Sequence, residues 1–154
     1  MNERMAARKK ITNDSYFERV ESLLAEGKVV KIPVKGTSML PSLKEGDHVL
    51  LNTTDMREMK WGTIVLALYR GGYILHRLVG RKGDILELAG DNNWVQIERV
   101  ERDAVIGMVT EAYRGTELLR IYSTGSMQRA WLRYKFKPLL RVWGGLINKL
   151  NLKR

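Results

Sequence analysis

Val34-Lys35-Gly36-Thr37-Ser38-Met39-Leu40-Pro41-Ser42-Leu43-Lys44-Glu45-Gly46-Asp47 is the stretch on which the fold of this 154-residue chain turns. The alternating run Lys28-Val29-Val30-Lys31-Ile32-Pro33-Val34 leads into it and reads as a strand. Pro33 lacks an N–H, which places that strand at a sheet edge. Gly36 permits close backbone approach, and Pro41 fixes φ and stops the strand. The combination presents the Ser38 hydroxyl at a strand end. The N–H groups of Ser38 and Met39 are candidate donors to a shared oxyanion position. A hairpin connection rich in small residues has the same composition, so the stretch alone does not separate catalysis from a turn. A serine becomes a nucleophile only with a base in reach, and usually a third group to orient that base.

Downstream, the period stays that of a sheet. His48-Val49-Leu50-Leu51-Asn52 reads as a strand, and Thr63 to Tyr69 as a wholly apolar one buried on both faces. Gly71-Gly72 predicts a tight hairpin turn into Tyr73 to Val79. Ile85 to Leu88, Ala104 to Tyr113 and Glu117 to Tyr122 complete the series, with Arg81 to Asp84 and Gly90 to Asn93 as turns. Short strands at this spacing predict a mainly β, mostly antiparallel barrel or sandwich. Upstream, Thr12 to Ser15 offers N-cap side chains, Phe17, Val20, Leu23 and Leu24 recur at helical spacing, and Gly27 stops the turn. A helix is predicted over 14–26, after a loose basic arm at 1–11. The expected organisation is an arm and helix over 1–27, a β domain over 28–122 and a tail over 123–154.

The chain is 44% hydrophobic and 29% charged, ordinary for one globular domain. Cysteine is absent, which removes a disulfide framework, a thiolate metal site and a cysteine nucleophile. Two histidines, His48 and His76, are too few for a His-rich metal site. The net charge of +10 is unevenly spread: nine Lys and Arg and no acid follow Glu117, leaving +1 for residues 1–117. In the tail, Leu139, Val142, Trp143, Leu146, Ile147 and Leu150 fall on one helical face after Pro138. This basic amphipathic helix suits an anionic membrane surface, through residues 129–154, or packing on protein. Nucleic acid is disfavoured, because the aromatics lie among aliphatics and not on a polar stacking platform. No apolar run approaches the ~18 residues of a membrane span, and Met1 to Lys10 has no apolar core for a secretory signal. The expectation is a cytoplasmic protein that the tail can hold at the inner membrane surface.

Two further residues bear on chemistry. His76 sits in the apolar run Tyr73 to Val79, where a histidine is more often structural. Asp91 sits in Gly90-Asp91-Asn92-Asn93, where an aspartate more often shapes the turn. With these residues in place, the chain resembles the signal-peptidase and repressor-autoprotease clan of serine peptidases. Gly36 to Asp47 resembles the clan's serine box, G-x-S-M-x-P-x-L-x-x-G-D, at every fixed position. Trp61 to Val65 with Ile74 to Arg77, then Gly90 to Asn93, then Val105 to Val109 resemble its later boxes. Where many members carry a lysine base, this chain has His76, as in the endoplasmic-reticulum and archaeal branch. Its short length and basic aromatic tail resemble small stand-alone bacterial members.

The resemblance implies a signal-peptidase-like, repressor-C-terminal-like β barrel with Ser38 as nucleophile, His76 as base and Asp91 as orienting group. It implies backbone donors at Ser38 and Met39, substrate contacts at Gly36, Thr37 and Pro41, an extended signal- or leader-like peptide substrate, and no cofactor. The reticulum branch carries a second aspartate after G-D-N-N; here that region reads Trp94 to Glu98. Either Asp91 suffices, Glu98 substitutes, or activity is poor. The membrane anchor of signal peptidases and the helix-turn-helix of repressors are both missing. A catalytically silent regulatory or binding module and a self-cleaving protein are the alternatives. Oligomeric state is not set by the sequence.

Overall fold

A computed structural model describes residues 15–53, 59–92 and 96–122. Helix α1 spans 15–25. Eight strands follow: β1 (Val30–Pro33), β2 (His48–Asn52), β3 (Ile64–Tyr69), β4 (Gly72–Lys82), β5 (Ile85–Ala89), β6 (Glu98–Glu101), β7 (Val105–Arg114) and β8 (Glu117–Leu118). A single 3₁₀ turn, Arg102–Ala104, links β6 to β7. The expected arm at 1–11 and the amphipathic tail lie outside the described residues.

The strands form one antiparallel sheet in the order β1-β2-β7-β3-β4-β5-β6, with β8 paired to β7. The fold is mainly β and antiparallel as expected, and barrel describes it only loosely, because the sheet bends without closing and β1 and β6 do not pair. Register breaks at Leu50/Leu51, Leu66/Ala67 and Leu78/Gly80 supply the bends, because a bulge adds local twist. As expected from Pro33, β1 is an edge.

Central strand β3 explains the two-sided core. Ile64, Val65, Leu66 and Ala67 are all buried. Alternation sends Ile64 and Leu66 into one cluster and Val65 and Ala67 into another. The first cluster gathers Val20 and Leu24 from α1, Ile32, Val49, Leu51, Val109 and Ala112, together with Met39 and Leu43 of the serine stretch. The helix therefore shares the sheet's core; Phe17 stacks on Tyr73 at 4.1 Å between ring centres. The second cluster joins Leu78, Leu86, Leu88, Val100, Val105 and Met108.

The β3–β4 hairpin turns at Arg70-Gly71, one residue earlier than expected, with Tyr69 paired to Gly72. Both loop residues have positive φ, 51° and 73°, the primed geometry that matches strand twist. Strand β4 runs three residues past the expected end. Strand β6 lies where no strand was expected, and the last expected strand shrinks to Glu117–Leu118. Beyond β8, the Tyr122 hydroxyl donates to the Val109 carbonyl and accepts from the Ile64 N–H, tying that end of the described chain to β7 and β3.

Candidate active site

The serine stretch is a loop closed at its base. Val34 N–H donates to the Asp47 carbonyl at 2.7 Å and Gly46 N–H to the Val34 carbonyl at 3.1 Å. Asp47 reinforces the closure with its side chain. Its carboxylate accepts from the Lys44 N–H at 2.9 Å and from Arg114 Nε and Nη2 at 2.9 and 2.8 Å. Burial pushes the Asp47 carboxyl up, but the Arg114 and Lys44 hydrogen bonds and charges outweigh it and hold the group below its ordinary value. Inside the loop, Met39 and Leu43 are buried in the first core cluster. Leu43 N–H donates to the Met39 carbonyl at 2.9 Å, which folds the intervening residues, with their cis Leu40–Pro41 bond, into a tight turn.

Ser38 sits half-buried at the start of that turn. Gly36 reaches it through φ 78°, where a side chain is disfavoured. The N–H groups of Ser38 and Met39 donate to no acceptor among the described residues. The Ser38 hydroxyl likewise makes no hydrogen bond among the described residues. Gly36, Thr37 and Pro41 are exposed along the loop, so their surfaces are open to a substrate.

His76 lies on β4 opposite Val65 of β3 and is 6% exposed. Its Nδ1 is 3.0 Å from Glu98 Oε2. Against an ionised carboxylate Nδ1 is the donor, which leaves Nε2 as the acceptor of the neutral ring. Glu98 opens β6, opposite Leu88 of β5, and is 2% exposed. Nε2 faces the other way, toward Gly90. A methyl group built on Gly90 would stand 3.2 Å from Nε2 and 2.6 Å from the Ser38 carbonyl oxygen. The imidazole and the Ser38 backbone therefore lie no farther apart than those two distances laid end to end. Gly90 is the thin wall between them. Asn92 N–H donates to the same Ser38 carbonyl at 2.8 Å.

The expected orienting contact from Asp91 to His76 is made by Glu98 instead. Asp91 is buried on a different partner: Arg77 Nε and Nη2 grip its two oxygens at 2.8 and 2.7 Å. Successive side chains of β4 point to opposite faces, so a carboxylate engaged with Arg77 is turned from the His76 ring. Ser42 Oγ also donates to Asp91, at 2.5 Å. Arg77 is fully buried, and its Nη1 donates to the Gly62 carbonyl at 2.7 Å. The sequence reading did not single out this guanidinium or Ser42. The signal was present: an arginine in the apolar run of β4, four residues upstream of its solvated end, needs a buried acid.

Glu98, His76, Gly90 and the backbone of Ser38 thus lie together in one part of the fold. Among the described residues no group of His, Cys, Asp or Glu side chains is arranged to hold a metal ion. A family model described as Peptidase S24-like matches residues 1–110, a span that holds Ser38, His76, Asp91 and Glu98. No curated protein matches the chain.

Proposed function

The chain belongs to the Peptidase S24-like family, and from that premise we propose that it is a serine endopeptidase acting through Ser38, His76 and Glu98. The observation that carries this reading is the buried imidazole, with Nδ1 on Glu98 and Nε2 turned to Gly90 and the Ser38 turn. The Ser38 hydroxyl rotates toward Nε2 when substrate displaces water; catalytic hydrogen bonds are commonly long before substrate binds. Nε2 takes the proton as Oγ attacks the scissile carbonyl. Glu98 stabilises the imidazolium that results. The N–H groups of Ser38 and Met39 bind the developing oxyanion, and His76 returns the proton to the leaving amine. Water then repeats the sequence on the acyl-enzyme and restores Ser38. The substrate is an extended signal- or leader-like peptide passing over Gly36, Thr37 and Pro41, adding as a strand beside the loop.

The cationic segment 129–154 supports a second element, attachment to an anionic membrane surface at the inner leaflet. Eight Lys and Arg in that segment each contribute about 1 kcal/mol near such a leaflet, and its Trp and Leu residues add apolar anchoring. Among the described residues no helix is long and apolar enough to cross a membrane.

Labelling tests the nucleophile. A fluorophosphonate probe is expected to modify Ser38 of the full chain and to leave the Ser38→Ala variant unmodified. Absence of labelling, together with intact peptide libraries, would instead support a catalytically silent binding module.

A further inference from the structure

Ser42 and Asp91 take no part in the reaction just proposed, yet they join its two halves. The loop over 34–47 is fixed at its base by the Val34, Gly46 and Asp47 contacts. Its outer end is held separately, by two bonds that cross to the Gly90–Asn92 turn. One is Asn92 N–H to the Ser38 carbonyl at 2.8 Å. The other is Ser42 Oγ to Asp91 Oδ2 at 2.5 Å.

The bond from Leu43 N–H to the Met39 carbonyl folds this part of the loop into a tight turn. Ser38 and Ser42 both reach one neighbour, the Gly90–Asn92 turn, through the Ser38 carbonyl and Ser42 Oγ. That neighbour is firm. Asp91 is fixed through both oxygens by Arg77, and Arg77 is fixed to the Gly62 carbonyl. Gly90, in the same turn, separates the Ser38 carbonyl from His76 Nε2. The turn therefore fixes where the Ser38 backbone stands against Gly90, whose other side faces His76 Nε2.

We infer that Ser42 and Asp91 are positioning residues that set the approach of the Ser38 hydroxyl to His76 Nε2, by docking the nucleophile turn onto a platform fixed by Arg77. The inference rests on the reading of Ser38 as nucleophile. Ser42 touches neither the imidazole nor the oxyanion donors. Its loss acts on alignment, leaving the acid–base pair and probe binding intact.

The test is the kinetics of fluorophosphonate inactivation on the full chain, resolved into the maximal rate, kinact, and the half-saturating concentration, KI. Ser42→Ala is expected to lower kinact roughly 10- to 100-fold, the scale for a misplacement near 1 Å. KI and the pH midpoint of labelling are expected to stay at wild-type values, and the urea midpoint to fall only slightly. Ser42→Thr, which retains the hydroxyl, is expected to restore most of the rate. Wild-type kinact in Ser42→Ala overturns the positioning role while the nucleophile assignment stands. So does a loss that Ser42→Thr fails to restore and that parallels unfolding. A wild-type chain unlabelled at Ser38 overturns the nucleophile reading, and the positioning role with it.

Discussion

Gly90→Ala tests the site at its narrowest point. The added methyl carbon would stand 2.6 Å from the Ser38 carbonyl oxygen and 3.2 Å from both the Ser38 carbonyl carbon and His76 Nε2. Carbon–oxygen contacts in proteins settle at about 3.3 Å or more, so the Ser38 carbonyl must withdraw by about 0.7 Å. Its neighbours do not give easily: one is backbone, the other an imidazole held at its far nitrogen by Glu98. Withdrawal stretches the Asn92 bond to Ser38, worth about 1 kcal/mol net. Overpacking of this kind costs about 1–3 kcal/mol of stability. The effect on rate is larger, because a displacement approaching 1 Å at reacting groups lowers rates by up to about 10²-fold. The assay is fluorophosphonate labelling per folded molecule, with folded fraction taken from urea unfolding. A Gly90→Ala protein that labels at the wild-type rate with unchanged stability would refute the proximity argument, since nothing else in the turn requires glycine on steric grounds.

Three further outcomes are expected. Replacing the base, His76→Ala, should lower the labelling rate by about 10⁴-fold, and Glu98→Gln should approach that loss because it upsets the imidazole tautomer; a near-wild-type rate in either removes that residue from the relay. Asp47 has its carboxyl held down in the folded chain, so its stabilising contribution is complete above the ordinary aspartate value of about 4 and fades as pH falls below it. Asp47→Asn should therefore show a flatter decline in urea midpoint between about pH 4 and pH 2 than the wild type; parallel declines would contradict the pairing with Arg114. Deleting residues 129–154 should abolish co-sedimentation with anionic vesicles while leaving neutral vesicles unbound by either form; equal binding by the truncated chain would discard the membrane role.

Much of this arrangement was legible in particular residues. Strand β2 was readable at both ends, since the apolar run Val49 to Leu51 is bracketed by polar His48 and Asn52. The wholly apolar stretch of β3 announced a strand buried on both faces, and Pro33 announced an edge. Ser38 and His76 stood out because a glycine–serine–proline turn and a histidine in an apolar strand each break the local pattern. What escaped was β6. Its inward positions are Glu98 and Val100, and both outward ones are charged. A carboxylate at a core-facing position hides the alternation that identifies a strand. The residue that orients the imidazole thus obscured its own strand, and Glu98 entered the reading only as a substitute for a missing aspartate. Asp91 misled for the opposite reason. Its place in a G-D-N-N turn is conspicuous, while its partner Arg77 is set by which face of β4 it occupies, and that depends on pairing between strands far apart in the chain. That the sheet stays open was beyond reach for the same reason, because bulges such as Leu78/Gly80 arise from the pairing itself.

The two core clusters meet at β3, and the site straddles that seam. The Ser38 turn rides on Met39 and Leu43, which belong to the first cluster. The carboxylate behind His76 rides on the strand of Val100, which belongs to the second. On the mechanism proposed above, the central strand is therefore a hinge pin as well as a divider: a shift of a few tenths of an ångström between the halves would throw Ser38 and His76 out of line long before either half melted. Activity in such a molecule is a finer gauge of internal fit than any melting curve, and substitutions at Ile64 to Ala67, which touch no reacting atom, are where that gauge should read first.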